Sequence, residues 1–424
     1  MAYLALLRRN PNYTRLWSAQ VISLLGDWFN TVILSALVAH YSENAGLAVS
    51  ILLLTRFLPP LLVAPFAGVL LDRFDRRRLL IMSDVARMVI VLGYLLAASP
   101  DHIWWIYVLS ALQFVCSAVF EPGRSALLPA VVQPGDLVRA NVLGSVTWSV
   151  MLAVGGMLGG FVSAWLGPQA GLLIDSMTFG VSALLIASIR LSPERVALVQ
   201  SETHAPRQQT SFRAGLRYAR KRPALIAALL IKVGGNIGNI DVPIVIYGTL
   251  LFAIGQDGSA SLGLLWSAFG VGAVIGPLLL NHWNDGSVRV MRRLVIVGYA
   301  FLTIGWFALA GAPGLVLALV AIMIRAMGGS VYWTYSSVII QKSVDDAYLG
   351  RMFSLDQAGF QLMTVISIVI TGLALRTWGD GAVREIVAIT GLLSLIPLIG
   401  WWFAVRWLER HPELEIMSKD IPIA

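Results

Sequence analysis

Runs of about twenty apolar residues, broken by short polar turns, recur from one end of the chain to the other, and most are apolar on every side rather than along one stripe. A helix that is apolar all round belongs in a buried core or a bilayer, and about 20 such residues cross the hydrocarbon. The pattern predicts twelve spans, near 16–40, 46–71, 79–98, 103–121, 141–166 and 169–190, then 224–253, 260–281, 293–311, 314–340, 352–376 and 383–407. The fold class implied is an all-α membrane protein of twelve transmembrane helices in two six-helix halves. A polar stretch parts the halves, so the chain reads as an N-terminal bundle over 1–190, a cytoplasmic linker over 191–223, and a C-terminal bundle with its tail over 224–424. The linker's centre, 200–210, is polar and expected to be mobile. Its end, SFRAGLRYARKR over 211–222, reads as a short basic amphipathic helix lying along the inner membrane surface as a hinge strap.

Composition removes the soluble alternatives. Of 424 residues, 57% are hydrophobic and 13% charged, against about 25% charged in soluble domains. The net charge of +8 would suit nucleic acid, but the basic residues sit in short turns, where they report topology and face anionic lipid. Placing the N-terminus, alternate loops and the C-terminus on one side gathers 25 of the 31 Lys and Arg there, so both termini are expected in the cytoplasm. Residues 1–12, with Arg8 and Arg9, suit an amphipathic lead-in better than a cleaved leader. One cysteine, Cys116, lies inside an apolar run and offers no disulfide framework or thiolate metal site. The five histidines are scattered at loops and ends, and no glycine loop suited to phosphate is present, so neither enzyme nor cofactor is expected.

An offset of 212 residues superposes the halves without gaps at several places. Leu25-Gly26-Asp27 falls on Ile237-Gly238-Asn239, Pro65 on Pro277, and Leu137-Val138-Arg139 on Leu349-Gly350-Arg351. Agreement at one offset argues for duplication, with the repeats related by an axis along the membrane normal.

The turn after the second span reads GVLLDRFDRRR, from Gly68 to Arg78. A glycine there lets a neighbouring helix approach, the acid can face a helix N-terminus, and the arginines can pair with acids or anionic headgroups. The turn resembles the signature loop of major facilitator superfamily transporters, G-x-x-x-D-R-x-G-R-R-R. Gly68, Asp72, Arg73, Arg76, Arg77 and Arg78 fit that pattern, and Asp75 stands where the family has glycine. The resemblance implies a gating loop on the cytoplasmic side. Its counterpart in the second half, Asn284-Asp285 with Arg289, Arg292 and Arg293, is degraded, so the two gates are unequal. The opening residues Asn12-Tyr13, Leu16-Trp17 and Ser23-Leu24-Leu25-Gly26-Asp27-Trp28 look like the branch that holds macrolide efflux proteins and enterobactin-type siderophore exporters. Lysophospholipid transporters begin with a similar Gly-Asp helix. Gly155, Gly156, Gly159 and Gly160 in the fifth span resemble the antiporter signature G-P-x-x-G-G, with Gly156 in place of the proline. Small residues at those spacings also serve close helix packing in general.

Charges at span depth are costly and face a cavity or a partner. Acids there are Asp27, Asp84, Glu121, Asp175, Asp241 and Asp356; bases are Arg56, Arg87, Lys232 and Arg325. Asp27 lies nearest the midplane, where desolvation disfavours its charged form as a proton carrier requires, and Arg56 is the partner that would instead hold it permanently charged. Glu121, followed by Pro122 and Arg124, is the second candidate, at the inner end of the fourth helix. Asp84 and Arg87 read as a surface i,i+3 pair beside the loop, and Asp356 as structural. Arg56, Asp241, Arg325, Trp148 and Trp333 are the candidate cavity residues. The function expected is proton-coupled export of a small amphiphilic compound by alternating access, with a lipid carrier on the same scaffold as the alternative. The partners expected are that compound, protons and membrane lipid, with no nucleic acid; the protein is expected to be a monomer in a bacterial cytoplasmic membrane.

Overall fold

A computed structural model describes residues 2–97, 99–191 and 212–411, and among them every regular element is helical. The centre of the linker, 200–210, and the tail from 412 lie outside the described residues. In a bilayer each backbone polar group must find its partner within the protein, which a helix does within its own length. The elements are α1 (Ala2–Arg9), α2 (Pro11–Tyr41), α3 (Ala45–Arg73), α4 (Arg76–Gly93), α5 (Ile103–Val131), α6 (Leu137–Leu166) and α7 (Pro168–Ala187). After the linker come α8 (Phe212–Arg220), α9 (Pro223–Gly235), α10 (Asp241–Ile246), α11 (Ser259–Leu280), α12 (Val288–Ala310), α13 (Leu315–Ser343), α14 (Asp346–Trp378) and α15 (Val383–Arg410). Among the described residues, ten helices are long and apolar enough to cross a membrane. The charged α4 and a seventh span built from α9 and α10 complete twelve. Large apolar side chains such as Leu62, Leu184, Leu278 and Ile396 are exposed, as suits a surface meeting hydrocarbon.

The seventh span departs from the continuous helix that the pattern predicts over 224–253. Gly238 adopts φ +86°, a conformation that costs glycine alone little. Its N–H donates to Ser367 Oγ at 3.2 Å, and that hydroxyl donates to the Asn236 carbonyl at 2.8 Å. Asn239 Oδ1 accepts from the Asp241 N–H at 2.9 Å and so starts α10 afresh. The fourth helix differs too. α5 runs through Pro122 and Pro129 to Val131, so Glu121 stands within the helix rather than at its end.

The chain divides into two compact units, Met1–Arg207 with Ile244–Ser267, and Gln208–Pro243 with Ala268–Ala424. In the first, Leu6, Leu16, Leu80, Phe120, Val131 and Ile186 form one buried cluster, which pins α1 against α2 and α5. Asn10, between α1 and α2, donates to Asp136 Oδ2 at 3.1 Å and accepts from the Gln133 N–H at 3.0 Å, so this corner grips the turn between α5 and α6. In the second unit α8 does the same to the turn between α13 and α14. Tyr218 donates to Asp345 Oδ2 at 2.8 Å and stacks on Tyr348 with centroids 4.1 Å apart, while Arg222 lies 3.7 Å over the Tyr218 ring. Leu6 and Tyr218 are 212 residues apart, as are Asn10 and Arg222. The lead-in helix therefore belongs to the repeat.

The loop between α3 and α4 shows why its glycine is dispensable. Asp75 is the N-cap of α4, its carboxylate accepting from the Arg78 N–H at 2.7 Å. Acids and glycine are both tolerated at that position, and the acid adds a hydrogen bond. Arg76 donates to the Ala126 carbonyl at 3.0 Å, and Arg77 donates to the Ile186 carbonyl at 3.1 Å and also to that of Ala187. These arginines thus hold helix carbonyls, and Arg77 sits at the negative end of α7. Asp75→Ala is expected to lower stability by about 1 kcal/mol and Asp75→Gly by a few tenths, read by denaturation in detergent; equal losses would remove the cap from the account. In the counterpart turn, the Ser287 N–H donates to Asp285 at 2.8 Å and holds that carboxyl below the usual range.

Candidate transport site

Asp27 lies near the middle of α2, with its side chain 26% exposed. Its cationic neighbour is Arg87 of α4, whose Nη1 is 3.8 Å from Asp27 Oδ2. Arg56, the partner expected from the sequence, donates to Thr31 Oγ1 at 2.6 Å, one turn on from Asp27, and lies 4.7 Å over the Phe114 ring. Nor is Asp84–Arg87 a surface pair. Both residues are buried, Arg87 is hydrogen-bonded to Asp84, and the other Asp84 oxygen accepts from Ser182 of α7 at 2.7 Å. The guanidinium is sandwiched between Phe120 at 4.3 Å and Phe179 at 4.4 Å. A guanidinium lying over two rings is a contact that arginine makes better than lysine.

One further carboxyl closes the cluster. Asp175 of α7 is fully buried; Asn30 donates to its Oδ2 at 3.1 Å, and its Oδ1 has no hydrogen-bond partner. That oxygen and Thr178 lie where any side chain at position 26 would have to go. Gly26 is thus the neighbour that lets Asp175 sit beside Asp27. The arrangement is one arginine held tightly by Asp84 and loosely by Asp27, with the looser acid the more exposed. Arginine keeps its proton under all ordinary conditions, so any proton exchanged here resides on a carboxyl.

Glu121 is more open, 55% exposed, and pairs with Arg124 at 3.1 Å. Arg124 also donates to Gln20 at 3.2 Å. Glu121, Pro60, Ser117 and Pro122 line a cleft of about 330 Å³. Trp148 of α6 is exposed. In the second unit Arg325 is buried between Phe269 at 5.6 Å and Trp306 at 5.1 Å. Asp241 accepts from the Asn239 side chain at 2.8 Å, and Trp333 of α13 is 38% exposed.

The fifth-span glycines work in two directions. A Cβ at Gly155 would lie 2.9 Å from Trp28 Cβ and one at Gly159 would lie 2.8 Å from Phe29 Cα, so this face seats α2. Gly156 and Gly160 seat the start of α11 instead: a Cβ at Gly160 would meet the Ser259 carbonyl at 2.5 Å and Gly263 Cα at 2.8 Å. Trp28 and Trp266, one from each neighbour, meet with ring centroids 5.3 Å apart.

Residues 16–285 match the family model described as Major Facilitator Superfamily, more than half of the chain. The chain belongs to that superfamily. Macrolide efflux protein A of Streptococcus pyogenes is 24% identical to this facilitator over 84% of the chain and 88% of its own length. YfiS, an uncharacterized MFS-type transporter of Bacillus subtilis (strain 168), is 24% identical over 93% and 94%. The crystal structure of a D-xylose-proton symporter superposes with a TM-score of 0.69 at 14% identity, over 91% of this chain and 96% of that one, and shows the shared fold. This facilitator is a multi-pass membrane transporter. What the hydrophobic pattern alone missed was Arg87 as the arginine beside Asp27 and Asp175 as the acid behind Gly26; the i,i+3 spacing of Asp84 and Arg87 was the available sign of the first.

Proposed function

We propose that the protein is a proton-coupled exporter of small amphiphilic compounds, working by alternating access in a bacterial cytoplasmic membrane with both termini inside. The observation that carries this is the unequal grip on Arg87, buried and hydrogen-bonded to Asp84 but 3.8 Å from a partly exposed Asp27. A proton arriving at Asp27 cancels the weaker of two attractions and leaves Arg87 to Asp84, so protonation biases how α2 and α4 sit together. Relatives that include a macrolide efflux protein support export as the direction. Asp72 and Arg73 lie at the cytoplasmic end of α3 in this reading, and Gly68 precedes them by one turn, where the loop acts on switching rather than on binding.

The test is transport into vesicles with an imposed pH gradient, using a macrolide and an amphiphilic dye. Wild type is expected to concentrate substrate, and Asp27→Asn to keep downhill exchange but lose uphill transport. Equal responses to the gradient would make Asp27 structural and turn attention to Glu121. Indifference of both proteins to the gradient would sink proton coupling and favour a uniporter or lipid carrier.

A further inference from the structure

The second unit buries an ion pair that the carrier reading does not use. Lys232 of α9 and Asp356 of α14 are 3% and 1% exposed. Lys232 Nζ is bonded to Asp356 Oδ2, donates to Ser337 Oγ at 3.0 Å, and sits 4.3 Å over the ring of Trp333. Asp356 Oδ1 is buried without a hydrogen-bond partner. Trp333 meets Phe360 edge-on at 4.8 Å, yet keeps 38% of its surface exposed. The site is a buried charge pair with one acceptor in reserve, beside an open aromatic wall.

The scaffold does not require this pair. The residues 212 positions earlier are Gln20 for Lys232, Gly144 for Asp356 and Glu121 for Trp333, and there the first repeat carries the more exposed pair Glu121–Arg124, with Arg124 on Gln20, in place of a buried one. Replacing a buried ion pair by apolar residues of like volume is often neutral or stabilising, so stability alone gives little reason to keep one.

We propose that Lys232, Asp356 and Trp333 form a binding site for a small zwitterion with an apolar or aromatic body. The ligand's ammonium docks first on the spare Asp356 Oδ1. The ion pair then opens, the ligand's carboxylate takes Lys232 and Ser337, and the apolar body lies along Trp333 and Phe360. A simple cation on Oδ1 would leave two buried cations sharing one carboxylate, and a simple anion on Lys232 would leave Asp356 without its full counter-charge. Only a ligand with both charges keeps every buried charge paired. As a cargo site this rests on the carrier reading above; as a binding site it does not.

The experiment is thermal unfolding of the full chain in detergent with three probes that share one phenyl body: phenylalanine, 2-phenylethylamine and 3-phenylpropanoate. Phenylalanine is expected to raise Tm in a saturable way, with at least about tenfold higher apparent affinity than either single-charge probe. The double variant Lys232→Met with Asp356→Leu should fold and lose the response. Asp356→Asn, which keeps the shape, should weaken phenylalanine by at least about tenfold and turn the preference toward 3-phenylpropanoate. Equal shifts from the three probes, no shift with phenylalanine, or an unchanged preference in Asp356→Asn would each overturn the site. No gradient is imposed, so the outcome is independent of whether Asp27 couples protons.

Discussion

Replacing Arg87 by leucine is expected to be among the most damaging single changes in the first unit, at about 3–5 kcal/mol. The loss comes less from the missing attraction than from what stays behind. Asp84 keeps only its bond from Ser182, and Asp27 loses the cation beside it. The rings of Phe120 and Phe179 would close on an alkyl chain without the stacking they now make. Adding Asp84→Leu to Arg87→Leu should recover much of the loss, because the buried pair is then replaced as a whole. Unfolding of the single and double variants in one detergent decides the matter. If both variants lose equally, the two residues act independently and the shared grip on Arg87 has no energetic meaning.

Leucine in place of Gly263 is expected to abolish uphill transport. A Cβ at that position would lie 2.6 Å from the Gly156 carbonyl oxygen and 2.9 Å from Gly160 Cα. Both are backbone atoms, so no side chain can swing aside, and the start of α11 must move away from α6. Overpacking of this kind costs about 1–3 kcal/mol. Gly400→Leu is the control, since nothing lies within 4 Å of a Cβ there. The measurement is vesicle transport beside Tm for both variants. Wild-type transport by Gly263→Leu would show that the close approach of these helices is not needed for the cycle.

The spans, the duplication and the loop are legible in the chain because each rests on a local rule: length and apolarity for a span, one offset for the repeat, a spaced set of Gly, Asp and Arg for the loop. The break in the seventh span was also written locally, in Gly234-Gly235-Asn236-Ile237-Gly238-Asn239, but an apolar window averages over such a cluster. The partners of buried charges are a different matter. Asp27 meets Arg87 because of how α4 is rotated against α2, and rotation is set by packing at positions remote in sequence. Asp175 lies far along the chain from Asp27, and only the bare Gly26 between them hints that an acid from another helix stands there. Lys232 and Asp356 are 124 residues apart in the chain, so their pairing is a tertiary fact that no spacing records.

The twin lead-in helices bear on ancestry as well as on packing. The ends of α1 and α8 each grip the turn between the fourth and fifth spans of their own half, Asn10 on Gln133 and Arg222 on Asp345, and both members of these pairs keep the same offset as the spans themselves. The segment joining the halves is therefore not one device: its last part is the opening of the second copy, inherited with it. On that view the repeated unit is a lead-in helix followed by six spans, and each copy carries its own clasp on the turn after its fourth span.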